Sequence, residues 1–145
     1  MELPTPRTLQ SAIPLLPKAA RFVRENRKTA SRIAARSDPR LALIVGPCSL
    51  HDRKAALEYA KRLKDLQEQT PNCMLVMRVY GEKPRSSLGW KGLIYDPHLD
   101  GTHDVATGLV WMRELLVELA QMSVPTATEF VDPLTASYFA DCITW

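Results

Sequence analysis

The sequence predicts an α/β protein built on a parallel sheet. Three observations carry this. A helix is followed by three strand–helix units in succession, the alternation that parallel sheets require. The first strand, Leu41-Ala42-Leu43-Ile44-Val45, is a continuous apolar run stopped by Gly46-Pro47, the pattern of a strand buried on both faces. The chemically unusual side chains cluster just after strand ends, where parallel α/β folds build their sites.

Taken in order, residues 2–15 are punctuated by Pro4, Pro6 and Pro14 and read as an extended arm. From Pro17, suited to a first helical turn, Ala20, Val23, Ala30, Ile33 and Ala34 follow a 3.6-residue period until Ser37-Asp38-Pro39 breaks it. Asp52 is placed to cap a helix carrying Ala56, Leu57, Ala60, Leu63 and Leu66 on one face. Met74 to Tyr80 reads as a second strand. Asp104 is placed to cap a third helix bearing Val105, Leu109, Met112, Leu115, Leu116 and Leu119. Pro125 to Phe130 reads as a third strand and Pro133 to Cys142 as a fourth helix, with Tyr138 and Phe139 as core contacts. The loop from Gly81 to His103 is far longer than the usual connection of about 2–6 residues.

Composition narrows the function classes. At 46% hydrophobic and 24% charged the chain is globular, neither disordered nor membranous. No run of 18 apolar residues is present, so no membrane partner is expected. The N-terminus has no apolar segment of the kind that directs secretion, so the expected compartment is the cytoplasm. Cys48, Cys73 and Cys142, odd in number and widely spaced, read as reduced thiols. Residues 1–40 hold nine Lys or Arg against three acids, and residues 41–145 hold ten against thirteen. Arg21, Arg24, Lys28 and Arg32 recur at helical spacing as on a solvated face, and no aromatic interleaving marks a nucleic-acid partner.

Three strand ends hold the candidate chemistry. In Gly46-Pro47-Cys48-Ser49-Leu50-His51-Asp52, Cys48 and His51 have a Cys-x-x-His spacing that suits either metal ligation or a buried, inert cysteine. Arg78, Lys83 and Arg85, with Ser86 and Ser87 beside them, place three cations within eight residues. Such a concentration calls for an anion, which arginine grips with a planar fork and lysine meets as a point charge. Glu129 and Asp132 offer carboxylates that could orient cations, bind metal or handle protons, with Asp132 equally placed to cap a helix. His98 and His103 read as exposed or loop-tethering residues.

These blocks, together with Met77-Arg78-Val79-Tyr80-Gly81-Glu82-Lys83-Pro84-Arg85, Gly89-Trp90-Lys91-Gly92-Leu93 and Asp96-Pro97-His98, form one ordered series. From about Asp38 to Trp145 it resembles the type I 3-deoxy-D-arabino-heptulosonate 7-phosphate (DAHP) synthases. The resemblance implies a (β/α)8 barrel that condenses phosphoenolpyruvate with erythrose 4-phosphate, releases phosphate, needs a divalent metal and assembles into a homo-oligomer. By motif, Cys48 corresponds to a metal ligand, Arg78 and Lys83 to phosphoenolpyruvate contacts, and Arg85 and Ser86 to aldose-phosphate contacts. Lys83 and Glu129 correspond to catalytic positions, and His51 to a supporting residue. Residues 1–38 correspond to an N-terminal extension of oligomer and regulatory type, and 39–145 to the first three βα units. Gly81 stands where many relatives have an aromatic residue, Ser86 where Thr is usual, and Thr128 where Gly commonly precedes the Glu.

A complete barrel needs roughly 200 residues or more, and the implied His, Glu and Asp metal ligands belong to later strands. Two readings follow: the opening portion of a synthase, inactive alone, or a non-catalytic remnant or binding module that associates with a full-length synthase. In either, the third strand is expected to lack its next neighbour and leave an open apolar edge.

Overall fold

The structure, a computed structural model, describes residues 3–84 and 88–145. Its elements run α1 (Pro6–Ala12), α2 (Pro17–Ala34), β1 (Leu41–Val45), α3 (Arg53–Gln69), β2 (Cys73–Arg78), α4 (Val105–Gln121), β3 (Thr126–Ala127) and α5 (Pro133–Phe139), then a 3₁₀ turn at Ala140–Cys142. The sheet has the order β1-β2-β3 and is parallel throughout. Leu41 sits opposite Cys73 and Val45 opposite Met77, while Met77 and Arg78 face Thr126 and Ala127. The expected α/β class with a parallel sheet is the one observed.

Period-two alternation along β2 divides the core. Leu75, Met77 and Val79 pack with Ala56, Ala60 and Leu63 of α3 and with Leu109, Met112, Leu115, Leu116 and Leu119 of α4. Met74 and Val76 face the other way and, with Ala127, meet Ala30 and Ile33 of α2. The long apolar helix α4 follows the expected face, and Phe139 is buried with Tyr138 packed against the same cluster. Asp52, Asp104 and Asp132 each accept a hydrogen bond from a first-turn amide, capping α3, α4 and α5.

Four expectations need correction. The arm at 2–15 contains a helix: Thr5 caps α1 by accepting from Thr8 N, and Pro6 sits in its first turn, where a missing N–H costs nothing. Strand β1 is not buried on both faces. Leu41, Leu43 and Ile44 are 63%, 39% and 46% exposed, because among the described residues β1 pairs only with β2 and no helix fully covers it. Strand β3 is shorter than Pro125–Phe130, and its outer edge is not open. Thr144 N and Trp145 N donate to the Thr126 carbonyl, and Thr128 N donates to that of Trp145, a parallel ladder in which residues 144 and 145 take the next strand place.

The basic residues Arg21, Arg24, Lys28 and Arg32 lie exposed on α2, as expected of a solvated face. Arg27 turns inward instead, donating through Nε to the Ile143 carbonyl at 2.8 Å and through its terminal nitrogen to that of Ala140. It thereby ties α2 to the segment that extends the sheet.

Candidate anion site at the strand mouths

Parallel pairing brings the C-terminal ends of β1, β2 and β3 to one side of the sheet, and the candidate residues with them. Gly46 follows β1 with φ +155°, and a Cβ there would lie 3.0–3.2 Å from the Arg78 backbone and Cβ. Glycine at this point lets the first loop press against the mouth of β2.

Arg78, half-buried, closes β2. Its Nε donates to the Pro47 carbonyl at 3.0 Å, and its guanidinium carbon stands 5.0 Å from the centroid of the Tyr80 ring. A hydrogen bond on one side and a cation–π contact on the other hold the fork at the site. Lys83 reaches back to the first loop: its ammonium donates to the Cys48 carbonyl and lies 3.4 Å from Cys48 Sγ. The structure therefore brings Arg78, Lys83 and Cys48 together across two loops.

The other candidates are arranged around them. His51 is exposed and meets Trp90 edge-on, with ring centroids 6.2 Å apart. Glu129 is exposed just beyond β3, next to Thr128, whose hydroxyl donates to the Val79 carbonyl at 3.0 Å. That bond turns the departure from glycine at 128 into a cross-strand tie between β2 and β3. Arg85 and Ser86 lie outside the described residues. Asp132 serves as the α5 cap. His98 is 3.6 Å from Asp104 and packs edge-on against Trp111, the tethering role expected of it.

Electrostatically the surroundings are strongly shaped. Burial, followed by the charges of Glu82 and Asp132, pushes the Tyr95 phenol up to about 12, so it remains a donor across the physiological range. Hydrogen bonds from Thr107 hold Asp104 below the ordinary carboxylate range. Among the described residues, no group of three or more His, Cys, Asp or Glu side chains converges as a metal site would require. Cys48 alone does not fit a divalent ion, which takes three or more protein donors.

Sequence reasoning passed over Glu82. Its side chain is 4% exposed, and it joins Tyr95, Val131 and Thr135 from three other stretches of chain. A carboxylate placed directly before Lys83 in a cation-rich loop was the available signal.

The fold and the site thus define a parallel α/β protein that presents a guanidinium, an ammonium and a thiol at adjoining strand mouths. The chain belongs to the DAHP synthetase I family, whose model matches residues 20–145. The match begins well before Asp38, so part of the N-terminal helix falls within it. The Tyr-sensitive phospho-2-dehydro-3-deoxyheptonate aldolase of Escherichia coli K12 is 49% identical over 144 residues, 99% of this chain and 40% of that protein. A phospho-2-dehydro-3-deoxyheptonate aldolase of Corynebacterium glutamicum is 45% identical over 145 residues, again 40% of its length. The solved phospho-2-dehydro-3-deoxyheptonate aldolase of Francisella tularensis SCHU S4 superposes with a TM-score of 0.96 at 44% identity, covering 100% of this chain and 43% of that one. The chain thus spans about two-fifths of the length of the relatives it matches. No helix among the described residues is long and apolar enough to cross a membrane.

Proposed function

We propose that these 145 residues form the opening portion of a DAHP synthase, contributing the phosphoenolpyruvate half of a site that condenses this substrate with erythrose 4-phosphate. The observation that carries the reading is the meeting of Arg78 and Lys83 with Cys48 at the mouths of β1 and β2. Phosphoenolpyruvate brings a phosphate and a carboxylate to one small molecule. A planar fork and a point charge held at adjoining strand mouths answer those two groups.

In this reading Arg78 and Lys83 bind and orient phosphoenolpyruvate, and Arg85 and Ser86 receive the aldose phosphate. Glu129 faces the water that adds at C2, where its carboxylate takes a proton as phosphate leaves. His51 supports the first loop through Trp90. Cys48 would give one ligand to a divalent metal, which when bound would supply Lewis-acid chemistry, with the remaining donors coming from outside these residues. Residues 1–38 form an N-terminal extension and 39–145 the first three units of a (β/α)8 barrel, in a cytoplasmic homo-oligomer. The chain alone is inactive.

The test is a fusion in which these residues replace the matching 144 of the Tyr-sensitive Escherichia coli enzyme. The isolated chain, given both substrates and a divalent metal, releases no phosphate, whereas the fusion does. Arg78→Ala in the fusion raises the phosphoenolpyruvate concentration needed for half-maximal rate by about 100-fold, consistent with losing a charge-assisted bidentate contact worth about 2–3 kcal/mol. Unchanged kinetics in a folded Arg78→Ala fusion remove the anion-site assignment. Inactivity of a folded fusion favours the non-catalytic module instead.

A further inference from the structure

We propose that Glu82 is a positioning residue that fixes Lys83 relative to Glu129, locking the loop after β2 to the segment after β3 through a buried carboxylate. The inference rests on the proposed anion site and deepens it.

Glu82 directly precedes Lys83, yet the two side chains part company. Lys83 runs to the first loop at Cys48, while Glu82 is 4% exposed and turns into the protein. Its Oε2 accepts from Val131 N at 3.2 Å, two residues beyond Glu129. Its Oε1 accepts from the Tyr95 hydroxyl at 3.2 Å. The Thr135 hydroxyl, 5% exposed, lies 2.8 Å from Oε2 and 2.7 Å from the Asp132 carbonyl, two acceptors for its one proton.

A buried carboxylate is costly unless its lone pairs are engaged, and a partly satisfied one is worse than an apolar core. Here the donors come from three stretches: the return of the long loop, the turn beyond β3 and the first turn of α5. The ladder between β2 and β3 is short, pairing only Met77 and Arg78 with Thr126 and Ala127. Beyond it the Thr128 hydroxyl ties to Val79, and Glu82 supplies the tie that lies past the strands themselves. A carboxylate with a merely structural role has no reason to stand at this point of the chain rather than another. This one stands one residue from the candidate ammonium and bonds two residues from the candidate acid. Shifting the bond shifts the separation of the two groups that face the ligand.

The test is a titration of the isotopically labelled 145-residue chain with phosphoenolpyruvate, below the concentration at which the exposed β1 edge associates, following the backbone amide signals of Lys83 and Glu129. In the unmodified chain both signals move with one dissociation constant, and Arg78→Ala abolishes the response. In Glu82→Gln, and in Thr135→Val, the Lys83 signal still moves but that of Glu129 no longer follows, and the dissociation constant rises about tenfold. Thr135→Ser, which keeps the hydroxyl, behaves as the unmodified chain does. If the unmodified chain gives no saturable response, the anion-site reading fails and takes the inference with it. If it responds and is silenced by Arg78→Ala, while folded Glu82→Gln and Thr135→Val keep the joint response and affinity, the inference alone is wrong. Lowered thermal stability in those variants with the joint response intact also overturns it. Should Glu82→Gln not fold, Thr135→Val decides.

Discussion

At the scale of single residues, the most heavily constrained charge is Arg113, 1% exposed on α4. Its Nε donates to the Ile13 carbonyl at 2.9 Å, and its terminal nitrogens reach the Tyr138 carbonyl and both Asp141 oxygens at 2.8–2.9 Å. Burial raises the Asp141 carboxyl, but the hydrogen bonds and charge of Arg113 outweigh it, and the group sits below its ordinary 3.8. A depressed carboxyl stabilises fully above the unfolded value and loses that contribution as pH falls through the folded one. Asp141→Asn therefore costs about 2 kcal/mol at neutral pH, less than the usual 3–5 for a broken buried pair because Asp141 stays partly solvated. Urea unfolding at pH 7 measures it, and the penalty begins to shrink below 3.8, where the unfolded carboxyl protonates, and vanishes as pH falls through the lower folded value. A penalty that persists unchanged into acid would contradict this account. The periodicity of α4 was legible from Leu109 to Leu119, but Arg113 was not, since arginine so rarely lies fully inside. Its place, four residues after Leu109 and three before Leu116 on one apolar face, was the overlooked signal.

At the scale of elements, local chemistry was most legible where one residue decides a boundary. Asp52, Asp104 and Asp132 all cap helices as their side chains allow. The same rule, applied to Thr5 and Pro6, would have found α1, but the further prolines Pro4, Pro14 and Pro17 around it suggested an extended chain. The long loop after β2 depended on contacts that spacing does not reveal. Gly92 has φ +106°, and a Cβ there would stand 2.4 Å from the Gly81 carbonyl oxygen, a rigid backbone obstacle. At Gly81 a Cβ would meet Met112 Sδ at 2.7 Å, the end of a side chain that can swing. The space an aromatic residue would need at 81 is held by Met112 and Ile94. Gly92→Ala is accordingly expected to cost about 3 kcal/mol, from overpacking and a disfavoured φ together, and Gly81→Ala about 1 kcal/mol. Thermal denaturation of the two variants checks the order. A reversed order would mean the loop is not set by these close approaches.

At the scale of the whole molecule, the parallel topology does two things at once. It gathers Arg78, Lys83 and Glu129 on one side of the sheet, and it leaves β1 as a strand whose second edge no described segment pairs. The apolar run was legible; its exposure was not, because continuous hydrophobicity reports what a strand is suited to contact and not whether the contact is supplied by the same stretch of chain. Leu43 and Ile44 point to opposite faces by the alternation of a strand, yet both are substantially exposed, so the apolar surface wraps the edge. The outer edge of β3 is satisfied by residues 144 and 145, which concentrates the liability at β1. An apolar, unpaired strand invites pairing with another chain. The 145-residue chain is therefore expected to self-associate at tens of micromolar, within the range where exposed strand edges aggregate. Replacing Leu43 and Ile44 together by lysine puts charge on both faces of the edge and should yield a monomer by sedimentation. Its thermal midpoint should move little, since both side chains are substantially exposed and lysine stems can cover the apolar surface they leave. A monomeric unmodified chain, or a lysine variant that associates equally, would place the sticky surface elsewhere. In the Escherichia coli fusion the same substitutions reverse their effect: if the remainder of the enzyme covers β1, they bury two charges and abolish folding, so one pair of mutations distinguishes a strand awaiting its neighbours from one that is simply exposed.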